Sequence, residues 1–279
     1  MSHRLRIILA GTMALLMATA HAAQPAANEL LLGSVAMDVP AAMVKRMTPL
    51  VRYLAAKTGI QVGFRPSPNL GSAVNELGED LTQIAYLTPV AYVEAHDRYG
   101  AQPLASPITH GKSTFNLVVV VRNDSALVSM RDLKGRSFAF GDEKALLQRA
   151  VVVGGGVKME ELSRYRFLNH YDNIAKAVLN NDFDAGIMKD TLYEEFASKG
   201  LRKLYVSPPL PSYLFAVNKK LPAATVKKLR DAFLELKADT PGHKAILQGL
   251  DIGYDGFEVA RDSDYDIVRR LTAPFKKSN

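Results

Sequence analysis

Four consecutive valines occupy residues 118–121, inside an apolar run that begins at Phe115. A short apolar run between polar residues is typical of a strand buried on both faces, as in a sheet that helices cover on either side. The valines therefore favour an α/β fold with a covered sheet.

The segment after the valines predicts a second strand and a helix. Gly135 closes a tight turn after a polar passage, and residues 137–141 form another short apolar run. Asp142 follows this run, where its carboxylate can cap the first amides of a helix predicted over residues 143–153. We interpret residues 115–148 as the segment in which the chain leaves one α/β lobe and begins a second.

Strands and helices alternate on both sides of this passage. The predicted strands are residues 30–35, 61–64, 84–87, 166–168, 185–188, 204–207 and 213–217. The predicted helices start at Pro40, near Leu70 and at Thr88-Pro89, and then cover residues 172–180, 190–197, 223–238, 241–249 and 263–275. Such alternation indicates two lobes, each a mostly parallel sheet flanked by helices. Because the proline-rich residues 208–211 stand where the chain would cross back, we expect lobe one to comprise residues 23–120 and 210–279 and lobe two residues 121–209.

The first 22 residues have the features of a secretory signal peptide. Arg4 and Arg6 precede an apolar run from Ile7 to Ala20, which is too short to span a bilayer comfortably. The sequence Ala20-His21-Ala22 is a small-x-small cleavage site. We therefore expect cleavage near Ala22 and a mature protein in the periplasm.

Composition and motifs argue against several classes of function. The chain has no cysteine, so we expect neither a disulfide nor a thiol nucleophile. The formal net charge of +7 is modest and basic residues are scattered among acidic ones, which favours a solvated surface over a nucleic-acid interface. The histidines lie far apart and neither dinucleotide spacing nor a G-x-S-x-G motif occurs, so we expect no metal site and no cofactor.

Polar residues gather at the predicted carboxyl ends of the strands. In open α/β sheets ligands bind at these ends, where helix N-termini present free amide groups. Several of the residues are equally good helix caps or core aromatics, so the prediction rests on their shared position. The candidate ligand-binding residues are Asp38, Arg65, Tyr86, Thr88, Tyr92, Asp142, Glu143, Lys144, His170, Asp172, Lys189 and Asp190.

The order of several short segments resembles that of one protein family. The segments are QIAYLTPVAYVEA at residues 83–95, VRNDS at 121–125, DLKG at 132–135, FAFGD at 138–142, His170, DAG at 184–186 and SPPLP at 207–211. Together they resemble the periplasmic phosphate/phosphite/phosphonate-binding proteins of ABC importers over nearly all of the mature chain. The resemblance implies a type II periplasmic binding protein fold, with two α/β lobes, two crossing segments and a ligand trapped as the lobes close.

The chain departs from the family pattern after Asp142. Family members usually have a Ser/Thr-rich turn there, whose hydroxyls and amides hold the oxyanion, whereas this chain has Glu143-Lys144-Ala145-Leu146-Leu147-Gln148. Lys144 and the helix N-terminus can replace the hydroxyl donors; the alternative is a ligand that is not a tetrahedral oxyanion. The resemblance also places His170 on the family's ligand-contacting histidine.

These observations predict a periplasmic solute-binding protein, not an enzyme. It would capture a small anionic or phosphonate-like solute by hinge closure and deliver it to an ABC importer. The expected partners are the small-molecule ligand and the transporter permease, and we expect a monomer. A second hypothesis is a sensing module of the same fold that signals to a membrane histidine kinase. A third is a periplasmic enzyme with Asp172 or Glu143 as base and His170 as acid.

Overall fold

A computed structural model describes residues 29–35, 40–143 and 145–276 of the 279-residue chain. The predicted signal peptide lies outside these residues. The first elements alternate as β1 (Glu29–Ser34), α1 (Pro40–Thr58), β2 (Gln61–Pro66), α2 (Leu70–Gly78), β3 (Ile84–Leu87), α3 (Pro89–Tyr99) and β4 (Gln102–Thr109). Helix α1 ends just before Gly59, which adopts φ 71° and whose amide donates to the carbonyl of Ala55 at 3.0 Å.

The middle of the chain forms a second alternating unit. Its elements are β5 (Thr114–Phe115), β6 (Leu117–Arg122), β7 (Ser137–Phe140), α4 (Leu146–Gly154), β8 (Arg164–Phe167), α5 (Tyr171–Leu179), β9 (Ala185–Lys189), α6 (Asp190–Ala197) and β10 (Leu201–Val206). The predicted start of α4 is wrong by three residues, since Ala145 and not Asp142 occupies the N-cap position. The apolar Leu146 and Leu147 therefore form the first turn of this helix.

The last part of the chain returns to the first unit. It comprises β11 (Leu210–Pro211), β12 (Leu214–Val217), α7 (Ala223–Glu235), α8 (His243–Leu250), β13 (Tyr254–Val259) and α9 (Asp266–Thr272). Strands β4 and β13, which pair with each other at the edge of the first sheet, were not predicted from the sequence.

The strands form two large sheets. The six-stranded sheet has the order β13-β4-β12-β3-β1-β2, and the five-stranded sheet has the order β10-β6-β9-β7-β8. Strand β1 is parallel to β2 and β3, whereas β12 is antiparallel to β3 and β4. Similarly, β7 is parallel to β8 and β9, whereas β6 is antiparallel to β9 and β10. The two-lobed α/β architecture is confirmed, but the sheets are mixed rather than mostly parallel. A strand that enters from the other lobe starts at the edge where the parallel strands end, so it runs in the opposite direction.

The two crossing segments pair with each other. Strands β5 and β11 form a two-stranded antiparallel ribbon in which Leu210 lies opposite Phe115. The chain passes through this ribbon on its way to β6 and again on its way to β12. Both passages between the sheets are therefore held side by side.

The hydrophobic core continues from one lobe into the other. The side chains of residues 118–121 in β6 are fully buried, as the valine run predicts. One cluster of buried residues includes Leu87 and Tyr92 beside the first sheet, Phe138 in the second, and Val268 in α9. Helix α9 packs against both α3 and α4. Within the described ranges, no helix combines the length and apolarity needed to cross a membrane.

Candidate ligand-binding site between the sheets

A cavity of about 530 Å³ lies between the two sheets. Five of the predicted site residues line it: Tyr86, Thr88, Asp142, His170 and Lys189. Tyr86 and Thr88 come from the end of β3, and the other three follow or end β7, β8 and β9. The structure therefore gathers residues from both lobes at the carboxyl ends of parallel strands, where ligands bind in open α/β sheets.

Two tyrosine hydroxyls form the floor of the lobe-one side. The hydroxyl of Tyr86 is hydrogen-bonded to that of Tyr254, and the ring of Tyr213 lies 5.5 Å from the ring of Tyr86. Burial, together with the neighbouring phenol of Tyr254, raises the pKa of Tyr86 well above its ordinary value. Burial also raises the pKa of Tyr254. Both phenols are therefore neutral at physiological pH; one hydroxyl proton is used in the bond between them, and the other can be donated into the cavity.

Thr88 stands at the N-cap of α3. Its Oγ1 accepts a hydrogen bond from the amide of Ala91 at 3.1 Å, and Pro89 follows at the first helical position. The predicted capping role is therefore present. The hydroxyl keeps its own proton, which it can donate into the cavity.

Lys189 supplies a positive charge to the cavity. It is the last residue of β9 and the N-cap residue of α6, and its Nζ lies 4.9 Å from the ring centroid of Phe115. Burial lowers the pKa of Lys189, while the carboxylates of Asp251 and Asp190 oppose this shift. In the part of the chain that the structure describes, Nζ forms neither a hydrogen bond nor an ion pair. Its charge is therefore available to an anionic solute.

His170 and Asp142 lie on the lobe-two side of the cavity, and both are solvent-exposed. His170 occupies the N-cap position of α5 without a side-chain capping bond, directly after Asn169 with φ 64°. This left-handed residue turns the chain from β8 into the helix. The backbone carbonyl of Asp142 accepts a hydrogen bond from the amide of Ala145 at 3.0 Å.

Other lining residues were absent from the predicted set, and the polar ones among them are Arg46, Asn69, Asn169, Tyr213, Asp251 and Tyr254. Arg46 donates through Nε to the carbonyl of Gly249 at 3.0 Å and through a terminal nitrogen to that of Leu250. These bonds satisfy carbonyls at the end of α8 and fix the segment that carries Asp251. The glycines at 253 and 256 signal a turn after α8, but nothing in the sequence marks Arg46 among the other charged residues of α1.

Five of the predicted residues do not line this cavity. The guanidinium of Arg65 lies 3.8 Å from the carboxylate of Glu76, and the hydroxyl of Tyr92 donates to Asp262 at 2.7 Å inside the core. Asp190 accepts from the amides of Asn116 and Thr191 at 3.2 and 2.9 Å. The remaining two are Glu143 and Asp172, and Asp172 lies in the exposed first turn of α5. Asp38 and Lys144 lie outside the described residues.

The described residues hold no group of three or more His, Cys, Asp or Glu side chains placed to bind a metal ion. The polar groups at the cavity are instead phenols, a threonine hydroxyl, a lysine, an arginine, a histidine, two asparagine amides and two carboxylates. Such a set can bind a small polar solute through hydrogen bonds and charge.

Comparison with known proteins gives a family match over most of the chain. Residues 32–265 match the family described as "ABC transporter, phosphonate, periplasmic substrate-binding protein". The phosphonates-binding periplasmic protein of Escherichia coli (strain K12) is 24% identical over 246 residues, which cover 82% of this chain and 71% of that protein. The phosphate-import protein PhnD of Mycolicibacterium smegmatis is 25% identical over 252 residues, which cover 80% of this chain and 78% of that protein.

Solved structures show the same fold. PhnD1 from Prochlorococcus marinus, in complex with methylphosphonate, superposes with a TM-score of 0.69 at 19% identity and covers 90% of this chain and 99% of its own. XAC2383 from Xanthomonas citri, bound to ATP, superposes with a TM-score of 0.73 at 18% identity. The match covers 88% of this chain and 96% of that chain.

Proposed function

The chain belongs to the periplasmic substrate-binding proteins of phosphonate ABC transporters, and we propose that its solute is a small organic anion of the phosphonate class. Members of this family are solute-binding proteins of the periplasm that work with ABC transporter permeases; they are not enzymes. The proposal concerns the solute of this chain and the residues that hold it.

The observation that carries the proposal is the position of Lys189. Its ammonium group stands at the cavity between the sheets, partly buried and without an ion pair among the described residues. An anionic group of the solute would pair with this ammonium group. Its oxygen atoms would accept hydrogen bonds from the Thr88 hydroxyl and from the one free proton of the Tyr86–Tyr254 phenol pair. His170 would add a donor from lobe two.

The carboxylates of Asp142 and Asp251 also line this cavity. A purely anionic solute would be repelled by them, whereas a solute that also carries an ammonium group would be attracted. A zwitterion with a phosphonate-like group therefore fits the charges as well as a simple anion does.

Capture would occur by hinge closure. The cavity takes residues from both sheets, so a solute that contacts both sides binds the closed form more tightly and shifts the equilibrium towards it. The paired crossing segments β5 and β11 are the expected hinge. We propose that the closed protein delivers its solute to an ABC permease and acts as a monomer; the kinase-sensing role is the alternative.

We also propose the residue boundaries of the two lobes and of the signal peptide. The six-stranded sheet takes β1 to β4 from before the crossing and β12 and β13 from after it, which supports a discontinuous lobe one at residues 23–120 and 210–279. Strand β6 begins at Leu117, slightly before the proposed start of lobe two at residue 121. Cleavage near Ala22 would release the mature protein into the periplasm, and mass determination of the exported protein would identify the cleavage site.

A binding screen tests the function. Phosphate, phosphite, methylphosphonate, 2-aminoethylphosphonate, a sulfonate and free amino acids would be compared by thermal shift, and the best solute would be followed by small-angle scattering. We expect stabilisation by a phosphonate and a decrease in the radius of gyration on binding. The variant His170→Ala should bind more weakly with an unchanged fold. Absence of stabilisation by every phosphonate would refute the proposed function.

A further inference from the structure

A second, smaller cavity of about 110 Å³ adjoins the cavity that holds Lys189. The two cavities share Leu70, Thr88, Ala145, Lys189 and Tyr213 as lining residues. Most other walls of the smaller cavity are apolar, and they include Val90, Phe115, Leu117, Leu146 and Leu147. The space between the lobes is therefore divided into a polar cavity and an apolar compartment, with Lys189 bordering both.

Two polar side chains, Gln148 and Tyr171, line the apolar compartment but not the larger cavity, and they are hydrogen-bonded to each other. Gln148 is 4% exposed; its Oε1 accepts from the amide of Gly141 at 2.7 Å, and its Nε2 donates to the hydroxyl of Tyr171 at 3.3 Å. Burial raises the pKa of Tyr171 to about 12, so this phenol stays neutral. Thr88 and Lys189 keep free donors, but both residues border the polar cavity as well, where the anionic group would use these donors. A polar group entering the compartment would find few free partners, and its desolvation would go uncompensated.

The apolar compartment also draws on both lobes. Leu70 opens α2 and Val90 lies in α3, whereas Leu146 and Leu147 form the first turn of α4. Phe115 belongs to the ribbon of crossing segments, and its ring lies beneath the Lys189 ammonium. A hydrocarbon group in this compartment would therefore touch lobe one, lobe two and the hinge at once.

We propose that the solute carries a hydrocarbon substituent of about three to four carbons, which occupies the apolar compartment while the anionic group lies against Lys189. This inference rests on the proposed function and specifies its ligand class: an alkyl-substituted anion rather than the inorganic ion. The size follows from volume, since a dry apolar cavity of about 150 Å³ accepts benzene and this compartment is smaller.

The chain-length dependence of binding tests the inference on the wild-type protein. Calorimetry would compare methyl-, ethyl-, propyl-, butyl- and hexylphosphonate, with the matching alkylsulfonates as a parallel series. Burial of each methylene is worth about 0.8 kcal/mol, or about fourfold in affinity, so butylphosphonate should bind about 50-fold more tightly than methylphosphonate. The hexyl compound should gain nothing more, because the compartment is then full.

The possible outcomes distinguish the role of the apolar compartment from the binding of a phosphonate. Equal affinity across a series that binds would overturn the inference and leave the proposed function intact. A chain-length dependence seen only with sulfonates would overturn the phosphonate assignment and support the apolar compartment. No binding in either series would overturn both.

A matched pair of variants locates the effect. Leu146→Asn places an amide in the compartment and should reduce the ratio of butyl to methyl affinity by about tenfold, since a polar group there disfavours hydrocarbon. Leu81→Asn makes the same change at a residue that is 45% exposed and lines neither cavity, and should keep the wild-type ratio. Retention of the full ratio in folded Leu146→Asn would overturn the assignment of the compartment.

Discussion

Replacing Lys189 with methionine is the sharpest test of how the cleft holds an anion. Methionine keeps the length and apolar character of the side chain but removes the charge. At an effective dielectric constant of about 20, two unit charges about 4 Å apart attract by about 4 kcal/mol. Part of this is offset by desolvation of the pair. The Lys189 ammonium has no ion pair among the described residues, and the nearby carboxylates of Asp190 and Asp251 keep their hydrogen bonds from backbone amides when it is removed. The loss should therefore fall mainly on the ligand.

We therefore expect Lys189→Met to weaken phosphonate binding by about 2 to 4 kcal/mol, which raises Kd by about 30- to 1000-fold. Isothermal titration calorimetry at pH 7 measures the change. Lys199→Met is the matched control, because Lys199 is exposed, lies near the other end of α6 and holds its Nζ 4.2 Å from the ring centroid of Phe196. A Kd for Lys189→Met within threefold of wild type would show that this lysine does not contact the anion.

The same variant should not destabilise the unliganded protein. Burial lowers the pKa of Lys189 in the folded state, so the unfolded chain binds this proton more tightly and the charge disfavours folding at neutral pH. This penalty declines as the pH rises from the lowered pKa towards the ordinary lysine value of about 10.4. Over that window, the free energy of unfolding of the wild type should increase with pH by more than that of Lys189→Met. Urea titrations at several pH values would measure it, and parallel curves would contradict the assigned shift.

Three further predictions concern the framework. Tyr92→Phe removes the hydrogen bond to Asp262 and should lower the free energy of unfolding by about 1.5 to 3 kcal/mol, as measured by urea denaturation. The ligand Kd should not change, and a large loss of affinity would show that Tyr92 contributes to binding. Although burial opposes the shift, the hydrogen bonds from Arg269 and Tyr92 lower the pKa of Asp262. Its stabilising effect is therefore complete above about pH 4 and is lost as the pH falls through the lowered pKa. On acidification, the melting temperature of Asp262→Asn should therefore fall less than that of the wild type. In Gly186→Ala the new Cβ would lie 2.4 Å from a side-chain carbon of α5 and should cost about 1 to 3 kcal/mol, whereas Gly71→Ala in the exposed turn of α2 should be neutral or stabilising; equal denaturation midpoints for the two variants would refute the packing argument.

The sequence predicts elements best where local signals agree with burial. Strand β3 begins and ends at the predicted residues, and the Thr88-Pro89 pair starts α3 as expected. Both ends of α6 also coincide with the prediction. In each case an apolar run of strand length meets a capping residue, so short-range chemistry alone determines the boundary.

The missed strands have physical reasons. Strand β4 contains Pro103 and Pro107, which argue against a central strand because proline donates no backbone hydrogen bond. The structure accommodates them with shifts of register against both neighbours. In β13 the register shift between Tyr254 and Gly256 breaks the alternation by which a strand is recognised.

The site was predicted in part for related reasons. Tyr86, Thr88, Asp142, His170 and Lys189 follow strands that the sequence identifies, so their shared position can be predicted. Asp251 and Tyr254 depend on β13, and Arg46 reaches the cavity from a helix across a long-range contact that no local pattern encodes.

The position of β12 has a consequence for how the protein comes to be folded. Strands β3 and β4 are consecutive sheet strands in the chain, yet each hydrogen-bonds to β12 and not to the other. Until Leu214–Val217 has left the ribosome, the first sheet consists of two separate pieces with bare edges facing a gap. A chain halted before this strand should therefore leave the first sheet incomplete and prone to association through these edges, although every strand of the second sheet has by then been made. Such late completion suits an exported polypeptide, because the order of its strands itself delays completion of the first lobe until most of the chain has been made.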